Sequence, residues 1–144
     1  EARRLKTHVP WTRVLGARRV SSPQGRRVDL PDFVRASRET LVIKPSWGAG
    51  GEGILIGFKT KAARWEAAVE AAVRKPGAFA VQSYVDAPPR PSAYLRGGEI
   101  LFKDCHYTLG NFHEGKAFGF HYRVSPKDIV NVAQGGALGP LYFA

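Results

Sequence analysis

The sequence predicts an α+β fold, antiparallel β-sheet with packed helices, and three stretches carry that prediction. Residues 41 to 58, LVIKPSWGAGGEGILIGF, read as a β-hairpin with a long, glycine-rich connection. Residues 61 to 75 place Trp65, Ala68, Val69, Ala72 and Val73 on one helical stripe suited to packing on a sheet. Residues 99 to 109 and 116 to 124 read as an antiparallel strand pair joined by a turn over 110 to 115.

Taken in order, residues 1 to 28 carry no strong periodicity. Residues 8 to 15 form a short extended segment, and Ser21-Ser22-Pro23-Gln24-Gly25 is a turn. Asp29 is placed to cap a short helix with Pro31 in its first turn, and Leu30, Phe33 and Val34 share one face of it. The helix over 61 to 75 follows the glycine hairpin. Arg74 and Lys75 complement its carbonyl end, and Pro76-Gly77 stops it. Trp65 is therefore core. Residues 79 to 85, FAVQSYV, are the next strand, and DAPPRP over 86 to 91 is a stiff connector.

Composition bounds the function. The chain has 144 residues, 44% of them hydrophobic, one domain's worth with enough apolar content for a core. Nothing approaches the ~18 consecutive apolar residues of a membrane span, and EARRLK is followed by no apolar signal-peptide core. There is no methionine, even at position 1, so the chain reads as an excerpt of something longer with further domains as partners. Cys105 stands alone and can form no internal disulfide, which fits a reducing cytoplasm.

The net charge of +10 is uneven. Residues 1 to 38 hold nine Arg and one Lys against three acids, a net +7, whereas the remainder nets +3. A nucleic-acid binder is expected to pair such charge with exposed aromatics or a recognition helix. Only Trp11 and Phe33 lie nearby, and the Arg-Arg pairs at 3–4, 18–19 and 26–27 form no helical stripe. Nucleic-acid binding is thus disfavoured, and a solvated basic segment over 1–40 is expected, facing an anionic substrate or another domain.

The chemistry concentrates in the glycine hairpin. Gly48, Gly50, Gly51 and Gly53 leave the backbone free of bulk except at Trp47 and Glu52, and Lys44 supplies a cation just upstream. Glycine costs entropy to order, and close approach of N–H groups to an anion would justify that cost. The stretch reads as a phosphate cradle. It is not a dinucleotide fingerprint, because ILIGF continues as a strand where a helix is required. It is not a Walker A loop, since Gly115-Lys116 is followed by Ala117. A protein-kinase loop has its lysine downstream, and no HRD or DFG follows here.

A symmetric turn in the later pair would set Asp104 opposite His121, with His106, Gly119 and Arg123 on the same face. Asn131-Val132-Ala133-Gln134-Gly135-Gly136 comes after it. The order VIKP, GAGGEG, VQSYV, aspartate strand, arginine strand and NVAQGG resembles the C-terminal ATP-binding part of an ATP-grasp ligase. Its details lean toward the circularly permuted, glutathionylspermidine-synthase-like branch, and the resemblance covers roughly residues 41 to 136.

That resemblance implies an ATP-grasp-like nucleotide-binding domain over 41–144, incomplete as an enzyme. The implied activity is ligation of a small-molecule carboxylate to an amine through an acyl phosphate, with ATP and Mg²⁺. Lys44 would contact the α/β-phosphates, and Gly50, Gly51 and Gly53 the β/γ-phosphates. Gln82, Ser83, Tyr84 and Val85 would face the adenine edge. Asp104 and Asn131 would hold Mg²⁺, a hard ion suited to oxygen ligands. Arg123 would hold the γ-phosphate and then the acyl phosphate, offsetting developing charge.

Two positions depart from the family pattern. Many relatives carry Gln-Glu where this chain has Gln82-Ser83, and many place a glutamate two residues before the metal asparagine, where Ile129 stands here. Mg²⁺ would then lean on ATP's own oxygens, and a degenerate, non-catalytic ATP-binding module is the first alternative. Residue by residue, Asp104 with Arg123 also reads as a surface cross-strand ion pair, and Asn131 as an Asx-turn. A two-histidine, one-carboxylate metal triad of Asp104, His106 and His121 is the rival chemistry.

Overall fold

The computed structural model describes residues 8–140. Arg3, Arg4 and Lys6 of the basic segment lie outside that range. Among the described residues the fold is α+β, built from antiparallel sheets and two α-helices. The chain divides into two compact units, Glu1–Val85 and Asp86–Ala144.

In the first unit, β1 (Thr12–Val14), β6 (Phe79–Ser83), β4 (Leu41–Pro45) and β5 (Leu55–Ile56) form one sheet in that order, each neighbouring pair antiparallel. The glycine hairpin is formed as expected, with Val42 opposite Ile56 and Ile43 opposite Leu55. Its second strand is only two residues long, because a 3-10 turn takes over at Gly57.

Alternation along β4 decides the two faces of this sheet. Leu41 and Ile43, with Leu55 and Val81, join a buried core completed by Leu15, Leu30, Val34, Trp65, Val69 and Ala72. Val42, Lys44, Gln82 and Thr12 occupy the opposite face. The boundary anticipated at residue 40 is therefore not where the chain divides. Leu15, Leu30 and Val34 are fully buried, and the apolar face of β4 and β6 would be wet without them.

Helix α1 (Leu30–Ala36) begins as the sequence implies. Asp29 is its N-cap and accepts from the Asp32 N–H at 3.3 Å, while Pro31 sits where no N–H is needed. Helix α2 (Ala62–Arg74) buries Trp65, Val69 and Ala72 along the predicted stripe. The Trp65 indole Nε1 donates to the Val34 carbonyl at 3.1 Å, so the ring both fills the core and ties α2 to α1. Arg35 bridges the helices from outside, 2.8 Å from Glu66 and 3.3 Å from Asp32. The Glu66 hydrogen bond, with the charges of both acids, strengthens its hold on its proton. Before α1, β2 (Arg19–Ser21) and β3 (Arg27–Asp29) pair as a small hairpin around the predicted turn.

The second unit is a four-stranded antiparallel sheet ordered β10-β9-β8-β7. Strand β7 (Arg90–Arg96) runs through what read as connector, and the Gly97-Gly98 turn leads into β8 (Glu99–Glu114). The first seven residues of β8 pair with β7 and the last nine with β9 (Ala117–Ser125). Strand β10 (Ala137–Pro140) adds to the free side of β9. On one face Cys105 and Val124 are buried with Leu101, Tyr122 and Ala137 against them. Burial disfavours the thiolate and pushes the Cys105 thiol above its ordinary range, the neighbouring Asp104 adding to the rise.

The expected register of β8 and β9 is corrected here. The turn is not 110 to 115 but Gly115-Lys116, with Gly115 at φ 57°. His121 therefore lies opposite Gly110, and Asp104 opposite Pro91 of β7. The strand runs straight through Gly110, where the His121 ring lies against the backbone in the space a Cβ would fill.

Candidate functional site

Lys44 leaves the face of β4 opposite the core, just before the glycine connection. Its ammonium is hydrogen-bonded to Oε1 of Gln82, whose Nε2 donates to Thr12 Oγ1 at 3.1 Å. Lys44 thus stands in a polar row across three strands, outside the core. Such a row holds the cation in one direction without burying it.

The connection itself is built from glycines in conformations other residues avoid. Gly48, Gly50, Gly51 and Gly53 all have positive φ, at 132°, 72°, 79° and 71°. Lys44, Pro45, Trp47, Ala49, Glu52 and Ile54, with three of those glycines, line one open cleft of about 230 Å³. Of the expected phosphate residues, Lys44, Gly50 and Gly51 line this cleft, and Gly53 is not among its lining residues. Trp47 and Glu52 are among the cleft residues that carried no predicted role. Trp47 is 87% exposed on its lip, and Glu52 adds a carboxylate. The only signal for either was being the bulky exceptions in a glycine run.

The predicted adenine positions lie farther along β6. Ala80 is opposite Lys44, so Ser83 to Val85 sit three to five residues beyond it, roughly 10–17 Å along the strand. The Ser83 N–H donates to Trp11 O and the Tyr84 N–H to Thr40 O, both at 2.8 Å. Tyr84 packs edge-on against Phe58, with centroids 5.0 Å apart, and Val85 is exposed. Gln82 turns toward Lys44, and its amide oxygen serves the lysine.

In the second unit, parity keeps the predicted face together even though the register moved. Asp104, His106, Thr108, Gly119, His121 and Arg123 share one face of β8 and β9. Their spacing differs from expectation. Arg123 is opposite Thr108, four residues from Asp104, roughly 13 Å along the strand. That separation excludes the cross-strand ion pair. His121 is likewise four residues from Ser125, the partner of His106, so the metal triad is not assembled. Among the described residues no group of three His, Cys, Asp or Glu side chains is placed to hold a metal ion.

Two local arrangements complete this surface. His106 lies between the Ala87 carbonyl, 2.8 Å from Nδ1, and Asp128 Oδ1, 3.5 Å from Nε2. A carbonyl only accepts, so Nδ1 carries the proton in that bond. Asp128 had no signal in the sequence, since its approach depends on where β9 ends. Asn131 caps a 3-10 turn, its Oδ1 accepting from the Ala133 N–H at 2.8 Å. The Asx-turn reading of Asn131 therefore holds, and one lone pair of that oxygen is engaged. Asp104 is exposed and, with Pro91, Ser92, Ala93, Phe102 and Lys103, lines an open cavity of about 470 Å³.

Compared with known proteins, the chain matches no family model and no curated sequence.

Proposed function

We propose that the chain is the ATP-binding portion of an ATP-dependent carboxylate–amine ligase. One observation carries the reading: Lys44 and three positive-φ glycines, Gly48, Gly50 and Gly51, line a single open cleft. Backbone N–H groups without side chains beside a fixed cation are the chemistry a polyphosphate needs. The row from Lys44 through Gln82 supports it further, because it holds the ammonium on the face opposite the core.

In this reading Lys44 binds α/β-phosphate oxygens, and Gly50, Gly51 and Gly53 present N–H groups to the β/γ-phosphates. Residues 83 to 85 lie at a distance that suits an extended nucleotide with its base there. Arg123 takes its role, a cation for the γ-phosphate, from the family resemblance alone. By the same resemblance Asp104 and Asn131 would be the oxygen ligands of Mg²⁺. The substrate carboxylate attacks the γ-phosphorus, ADP leaves, and an amine displaces phosphate from the acyl phosphate to give the amide.

A second reading, a nucleotide-binding module without catalysis, is favoured by Asn131. Its side-chain oxygen already accepts from Ala133, which weakens it as a metal ligand. Calorimetric titration of ATP with and without Mg²⁺ separates these readings. Binding that Lys44→Ala weakens more than about tenfold, with circular dichroism unchanged, fits the cleft. Equal affinity in mutant and parent would sink it. Binding indifferent to Mg²⁺ would favour the non-catalytic module.

A further inference from the structure

The arginines of the first quarter take no part in the nucleotide reading. The β2–β3 hairpin turns Val20 and Val28 to the core, so the alternate positions Arg19, Ser21, Arg27 and Asp29 face outward. Arg18 and Arg26 flank them on fixed backbone, the Arg18 carbonyl accepting from Leu30 N–H and the Arg26 carbonyl from Ser22 N–H. All four arginine side chains are exposed. Beside them the Arg13 guanidinium lies 5.1 Å over the Trp11 ring and donates to the carbonyls of Thr12 and Ser21.

None of these five arginines forms an ion pair among the described residues, whereas Arg35, Arg38 and Arg74 all pair with carboxylates. The one acid on the hairpin, Asp29, is engaged in capping α1. The hairpin and its flanks therefore carry four exposed arginines, with Arg13 beside Trp11, and Asp29, opposite Arg19, is the one acid among them. Like charges carried on so short a segment repel, and a polyanion relieves that cost.

We propose that this hairpin docks the sugar–phosphate backbone of a nucleic acid without reading its bases. Guanidinium forks match phosphate geometry better than ammonium groups do. The hairpin tip, Ser22-Pro23-Gln24-Gly25, offers no large apolar side chain, as a protein hot spot or an inserted membrane anchor would need. Trp11 supplies no stacking platform. Its Nε1 donates to Ser21 O, one ring face lies under Arg13, and Phe33 packs edge-on to it. Base readout needs the aromatic or recognition helix that is missing here, whereas phosphate docking needs only cations.

The test is fluorescence anisotropy of labelled oligo-dT and of mixed-sequence single strands, across a salt series. Five neutralised phosphates predict a slope of log affinity against log salt of about −3.5, alike for both strands. Arg19→Gln with Arg27→Gln flattens the slope to about −2 and weakens low-salt binding about tenfold. Arg74→Gln on α2 leaves both unchanged, and Lys44→Ala keeps oligonucleotide binding whether or not ATP binding is lost. No binding at low salt, or no effect of the double substitution, overturns the proposal. So does a strong preference for one base composition. Tighter binding to phosphatidylserine vesicles or to polyglutamate would assign the hairpin to a membrane or an acidic protein segment instead.

Discussion

Lys44 and Gln82 are hydrogen-bonded to each other on the face of β4 and β6 that is turned away from the core. The sequence placed both in a nucleotide site but in separate roles, phosphate and adenine edge. The structure makes Gln82 a partner of the lysine itself. Gln82→Leu removes both bonds of the row and leaves the ammonium free to swing into solvent. ATP affinity should fall about tenfold, ~1.4 kcal/mol, with the core intact. Unchanged affinity in a titration would show that Gln82 does not position the lysine.

The glycine connection should register the ligand directly. Its positive-φ residues allow many conformations, and phosphate would select one. Amide hydrogen exchange over residues 48–53 is expected to slow on adding ATP. Protection already high without nucleotide, and unmoved by it, would argue against a loop that closes on phosphate.

Trp65 offers a test of the fold apart from any ligand. It is 2% exposed, and its indole N–H satisfies the Val34 carbonyl. Trp65→Phe leaves that carbonyl unpaired in the core and a void beside it. Urea denaturation should show a loss of about 2–4 kcal/mol. A loss below ~1 kcal/mol would mean the α1–α2 contact can relax around the change.

Cys105 gives the fold a dependence on alkaline pH. Its folded pKa is raised, chiefly by burial, above the unfolded value of 9.0. The stability it contributes is therefore whole below the unfolded value and is lost as pH rises through the folded one. Between about pH 8 and 10, Cys105→Ala should lose stability less steeply than the parent in urea titrations. At neutral pH the thiol should resist labelling until denaturant is added. Rapid labelling of the native protein would contradict its burial.

How much of this was legible in the sequence depended on element length and neighbours. The helix 62–74 and the Asp29 cap stood out because periodicity and capping are local signals. Strands β1, β2 and β3 have three residues each, too few for an alternation to show. Strand β7 was masked by prolines, yet an edge strand tolerates Pro91, and Gly97-Gly98 was the hairpin signal passed over. The β8–β9 register was displaced by six residues because Gly110 read as a turn. Six is even, so every side chain kept its face, but Arg123 moved away from Asp104 along the strand. The link between Lys44 and Gln82 was hidden, since it needs the β4–β6 register as well as both residues.

The rings on β8 and β9 constrain how this sheet can change over generations. His121 lies on Gly110, Phe112 lies on Gly119, and the two rings stack with centroids 6.1 Å apart. A methyl at either glycine collides with a ring, and a displaced ring pushes on the other. Four positions on two strands are thereby inherited as one block. A lineage reaches a new packing there only by exchanging ring and glycine together, so drift at these sites should come in correlated steps and never singly.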